Sequence, residues 1–170
     1  MLDSQQDNDL DLMATIEEAR DLRRSDEYEK SQALLLDLMD KNPDHPLVLF
    51  EVGGSYDVLG EEEMAIPYYR QAIASGLDGD DLQECLVCLG SSLRVMGETE
   101  EAVSILEQAV DEFPERNSGR VFLALAQFSN GEIEQAVSNL LSLLLKTTSD
   151  EDILAYADTF SYYVDNLDDE

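Results

Sequence analysis

Residues 53–72 read GGSYDVLGEEEMAIPYYRQA. The small residues here sit at fixed offsets: Gly53, then Gly60, Ala65 and Ala72. The same offsets recur at Gly90, Gly97, Ala102 and Ala109. A third copy reads Ala124, Gly131, Ala136 and Leu143, and a degraded one Ala19, Asp26, Ser31 and Leu38. Adjacent copies are 34 residues apart, except that those at Gly53 and Gly90 are 37 apart. The three extra residues fall at Gly79–Asp81, where a loop insertion costs little.

Within each copy the apolar residues follow a helical period. Leu49, Val52, Gly53 and Tyr56 share one helix face, and Ala65, Tyr69 and Ala72 share another. Gly60 lies between them, where a tight turn asks for positive φ. Pro67 falls in the second turn of the second helix, which predicts a bend. Leu86, Leu89, Gly90 and Leu93, followed by Ala102, Leu106 and Ala109, repeat the arrangement and stop at Pro114. The fourth unit runs Arg120, Leu123, Ala124 and Gln127, then Ala136, Leu140 and Leu143. In the first, a helix is expected from Leu12, then an N-cap at Ser25 and a second helix ending near Asn42, before Pro43. Residues 1–10 are polar and expected to fray. After Ser149–Asp150–Glu151–Asp152, close to a capping box, one last helix carries Ile153, Tyr156, Phe160, Tyr163 and Val164 on a common face. It reads as a cap on an open stack.

The cause of such a period is mechanical. Two antiparallel helices approach closely only where side chains are small, and one pair alone cannot bury its apolar face, so pairs stack. The chain is therefore expected to be all-α, a single domain over 1–170. Its units lie at about 12–45, 46–79, 83–116 and 117–150, with a capping helix at about 150–167.

At these residues the sequence resembles the tetratricopeptide repeat, whose motif places Gly at positions 8 and 15, Ala at 20 and 27, aromatic residues at 11 and 24, and Pro at 32. A unit starting at Pro46 supplies Gly53, Tyr56, Gly60, Ala65, Tyr69 and Ala72. One starting at Gln83 supplies Gly90, Gly97, Ala102, Ala109 and Pro114. The units at Leu12 and Asn117 match less fully. The chain is also similar to small stand-alone bacterial members of that family. The resemblance implies an α-α superhelix, a tetratricopeptide repeat solenoid of four helix pairs plus a C-terminal capping helix. It also implies that the first helix of each pair lines a concave groove for a protein or peptide. The inward positions hold Phe50, Glu51 and Asp57, then Val87, Cys88, Ser91 and Arg94, then Val121, Phe122, Leu125 and Phe128. The aromatic residues and Val87 are equally readable as packing between repeats. Arg94 is expected either to pair with Asp57 or a neighbour, or to meet a ligand carboxylate. The lysine and asparagine clamp with which some members hold chaperone tails is missing: its places are taken by Ile16, Arg20, Glu51, Glu84 and Cys88.

Charge bounds the partner. The chain has 39 acids against 10 bases, a net charge of −29. Nucleic-acid backbones and anionic membrane surfaces are repelled, and a basic segment is attracted. Acid excess with scarce lysine also fits a salt-adapted host. No apolar run approaches the roughly 18 residues of a membrane span, and no secretory leader is evident, so a cytoplasmic location is expected. Chemistry has little to work with. Cys85 and Cys88 form a lone CxxC in mid-helix, without a second pair or a histidine to complete a zinc site. His45 is the only histidine and sits in a loop. No catalytic residue, metal site or cofactor is expected. The acidic end, Asp165, Asp168, Asp169 and Glu170, reads as solvated. Two rival functions stay open: a homodimer through the aromatic last helix (Tyr156, Phe160, Tyr162, Tyr163), and an acidic mimic of nucleic acid.

Overall fold

The computed structural model describes residues 2–167, with side chains from Leu10 onward. Asp168, Asp169 and Glu170 of the acidic end lie outside the described residues. Four antiparallel helix pairs follow one another: α1 (Leu2–Arg24) with α2 (Tyr28–Lys41), α3 (Pro46–Asp57) with α4 (Glu62–Ala74), α5 (Gly79–Val95) with α6 (Thr99–Glu112), and α7 (Asn117–Ser129) with α8 (Ile133–Thr147). The short α9 (Glu151–Leu154) and α10 (Ala157–Asp165) end the chain, and α10 packs on α8. Each second helix also packs against the first helix of the next pair, giving an all-α solenoid.

One hydrogen bond recurs at every turn inside a pair. The amides of Glu27, Glu61, Glu98 and Glu132 donate to the carbonyls of Leu22, Tyr56, Leu93 and Gln127 at 2.9–3.0 Å. This closes a helix end around one left-handed residue. Gly60, Gly97 and Gly131 take that place with φ of 74°, 84° and 85°. In the first pair it is Asp26, at φ 60°, the one non-glycine residue with positive φ among those described.

Small residues decide the helix separation. A Cβ added at Gly53 would stand 2.7 Å from the Tyr69 ring, and one added at Gly90 would collide with the Leu106 side chain. In the degraded first copy Ser31 replaces the alanine, is buried, and donates its hydroxyl to the Ala19 carbonyl at 2.7 Å. The substitution thus adds a hydrogen bond across the α1–α2 contact instead of an orphaned polar group. In the fourth copy Gln127 stands where Tyr56 and Leu93 stand, and accepts from Asn139 Nδ2 at 2.7 Å. The core runs from Leu12, Ile16 and Val48 through Leu49, Tyr69 and Leu86 to Leu106 and Leu123.

Several local expectations are corrected. Ser25 is not an N-cap: α1 continues to Arg24, Asp26 makes the turn, and Glu27 precedes α2. The backbone of α1 is helical from Leu2, well before Leu12. The three extra residues at Gly79–Asp81 lengthen α5 at its start, where Asp80 and Asp81 oppose the positive end of the helix dipole. The last helix is two pieces, and its N-cap is Asp150, not Ser149. Asp150 Oδ1 accepts from the amides of Asp152 at 2.9 Å and Ile153 at 3.4 Å.

Candidate functional site

The first helices α1, α3 and α5, with Tyr69 of α4, enclose a cleft of about 560 Å³. Its floor is an ion-pair network. Glu51 is 3% exposed, and its Oε1 accepts from Arg20 Nε at 2.7 Å while Oε2 meets Arg23. Arg20 also reaches Glu17 at 2.7 Å and stands 3.8 Å from Asp81. Burial works against the Arg20 charge, but pairing with Glu51 and Glu17 outweighs it and its pKa lies above the ordinary value. Two arginines on one buried carboxylate satisfy both of its oxygens and tie α1 to α3.

Along the cleft stands Asp57. Its Oδ2 accepts from the Tyr69 hydroxyl at 3.0 Å and its Oδ1 from Ser92 Oγ at 3.2 Å. Burial raises its pKa, and these two hydrogen bonds only partly offset that. Asp81 is likewise raised by burial, against the pull of Arg20. Glu84 lines the same cleft. Arg94 does not take the place beside Asp57, since Ser92 does. The Arg94 Nε is buried with no hydrogen-bond partner among the described residues.

The remaining groove candidates divide by burial. Phe50 and Val87 belong to the core, and Phe50 lies 6.0 Å from the Tyr69 ring, centre to centre. Phe122 is half-buried against the same core, and Ser91 is half-buried. Val121, Leu125 and Phe128 are open, at 39, 42 and 63% exposure. Spaced by four and three residues, they lie along one face of α7. The row of first helices is therefore charged over α1, α3 and α5 and apolar over α7. Sequence inspection met Arg20 only as a departure from the chaperone clamp and missed Arg23 as a cleft residue. The repeat register places them level with Gly54 and Asp57, but the first copy lacks the glycines that mark it.

The thiols are structural in their chemistry. Burial pushes Cys88 up to about 12 and Cys85 higher still, so both are protonated at neutral pH. Among the described residues, no cluster of three or more His, Cys, Asp or Glu side chains is placed to hold a metal ion. No described helix is long and apolar enough to cross a membrane.

Known proteins match this architecture. The solved structure of YrrB, "a TPR protein with an unusual peptide-binding site", superposes with a TM-score of 0.70 at 17% identity, over 98% of this chain and 84% of that one. MamA from Desulfovibrio magneticus RS-1 gives a TM-score of 0.71 at 14% identity, over 93% and 95%. PilF of Pseudomonas aeruginosa gives 0.71 at 19%, over 91% and 69%. At these identities the likeness is one of fold. No curated protein matches the sequence. A family model described as a tetratrico peptide repeat matches residues 46–159. With that match spanning most of the chain, and with four stacked helix pairs closed by the same turn, the protein belongs to the tetratricopeptide repeat family.

Proposed function

We propose that the protein is a non-enzymatic adaptor that binds an extended protein segment along its first helices. An apolar side chain of the segment rests on Val121, Leu125 and Phe128. A lysine or arginine reaches the carboxylates of Asp57, Asp81 and Glu84. The observation that carries this is the open apolar row on α7, continuing a cleft whose acids exceed its bases. An exposed aromatic in a concave face is a characteristic binding anchor. Asp57 is a partly buried carboxylate held by two neutral donors alone, so a partner's cation supplies what it lacks. Arg94, half-buried on α5, offers its guanidinium to a carboxylate or backbone carbonyl of the same segment. The net charge of −29 draws basic segments in and keeps nucleic acids and anionic membranes away.

Selection from a random peptide display library tests this. The enriched sequences are expected to pair a basic residue with an apolar one. Their binding is expected to weaken at least about tenfold in Leu125→Ser/Phe128→Ser, and to fall in Asp57→Asn. Peptides that bind this double variant as well as wild type, or that bind through charge alone and vanish at moderate salt, contradict it.

A further inference from the structure

The second helices of the inner pairs present a stripe to the following pair. On α4 it is Ile66, Tyr69 and Ile73, and on α6 it is Val103, Leu106 and Val110. Ile66, Tyr69, Val103 and Leu106 are all at most 9% exposed: α5 and α7 pack on α4 and α6, and Tyr69 and Leu106 also lie on Gly53 and Gly90 of their own pairs. The equivalent stripe of α8 is Val137, Leu140 and Leu144, at 40, 44 and 38% exposure, and Ile133 one turn earlier is also open. α10 does not fill the place of a following first helix. It is fixed on the flank of α8, where Ser138 Oγ donates to the Val164 carbonyl at 2.6 Å. Consecutive helical residues point about 100° apart, so Ser138 faces well away from the stripe.

We infer that a second copy of this chain covers the α8 stripe, giving a closed twofold dimer. Charge selects the occupant. Ile133–Ser149 carries one acid, Glu134, and one base, Lys146, within a chain of net charge −29. Two copies meeting through most of the surface bring acid against acid, and here they do not. A basic partner drawn by the acidic field gains nothing from a stripe without carboxylates. The stack does not propagate head to tail either. The exposed side of α1 begins with the apolar Leu10 and Met13 but continues into Glu17, Glu18 and Asp21, an acidic seat that suits leucines poorly. An apolar patch that can meet only its own kind closes about a twofold axis.

Mass in solution, measured by sedimentation equilibrium over a range of concentrations, tests this. Wild type is expected to approach twice the 19.0 kDa chain mass. The association should tighten at about 0.5 M salt, as screening removes the repulsion between like-charged copies. Leu140→Glu should weaken it at least about tenfold, and the milder Val137→Ser/Leu144→Ser should weaken it in the same direction with helicity retained. The groove variant Leu125→Ser/Phe128→Ser should dimerise as wild type does, which separates this surface from the peptide groove. A wild type that stays at 19.0 kDa in high salt, variants in the α8 stripe that dimerise normally, or a groove variant that does not dimerise each overturn the inference.

Discussion

Asp57 is the residue where stability and binding oppose each other. Its carboxylate is half-buried, hydrogen-bonded by Tyr69 and Ser92, and without a cation. Burial raises its pKa, so the folded chain holds this proton more tightly than the unfolded chain does. The linkage sign follows: Asp57 contributes stability when protonated, below the ordinary carboxylate range, and that contribution is lost as pH rises through its raised folded-state value. Asp57→Asn is expected to gain on wild type as pH rises from 4 to 7 by about 1 kcal/mol or less. Paired urea denaturation curves at the two pH values check this. A constant difference between the proteins means that Asp57 is not the strained carboxylate described here. Glu51 is the contrast. It is more buried, yet Arg20 and Arg23 satisfy it. Neither pairing was legible from sequence, because the partners stand 31 and 28 residues apart in the chain and the first copy's register is marked only by Ala19. A pairing of Arg94 with Asp57 was one expectation, and it is not made. The neighbouring serine, Ser92, reaches Asp57 instead.

At the scale of elements, the turn inside each pair is the most repeated device of the molecule, and its one irregular member gives a clean test. Asp26 holds φ at 60° where the other three pairs have glycine. A residue with a Cβ pays roughly 1 kcal/mol for that conformation, less for Asp than for most. Asp26→Gly is therefore expected to stabilise the chain by about 0.5 kcal/mol, after the entropy that glycine adds to the unfolded state, read as a shifted denaturation midpoint with unchanged helicity. The inner pairs were readable because glycine and alanine mark where helices touch: Gly53 lies under Tyr69 and Gly90 under Leu106. The errors cluster where marks are ambiguous. Ser25 resembles a cap, but the turn beside it needs its left-handed residue at Asp26. Gly79–Asp80–Asp81 has the composition of a loop, yet acids also suit a helix start, and α5 begins there. The break at Ala155–Tyr156 between α9 and α10 carries no glycine or proline to announce it.

At the scale of the whole molecule, the solenoid separates its surfaces by chemistry. The first helices carry an ionic cleft over α1, α3 and α5 and an exposed apolar row on α7. The end of the stack carries an uncharged apolar stripe, and acids cover much of what remains. On the proposed reading, α3, α5 and α7 serve partner binding and α8 serves self-association. The period made the stacking legible. The exposure of Phe128 beside the burial of Phe50 was not, because both occupy inward positions, yet Phe50 is level with Val87 and meets the Tyr69 ring, whereas Phe128 is level with the half-exposed Asp57 and Arg94. The most direct test of the groove is amide chemical-shift mapping of the isotope-labelled protein during titration with a display-selected basic-apolar peptide. Saturable shifts are expected to concentrate at Asp57, Arg94, Leu125 and Phe128, leaving α2 and the outward side of α6 unmoved. Shifts centred instead on the α8 stripe, or scattered over the acidic outer faces and abolished by salt, contradict a binding groove on the first helices.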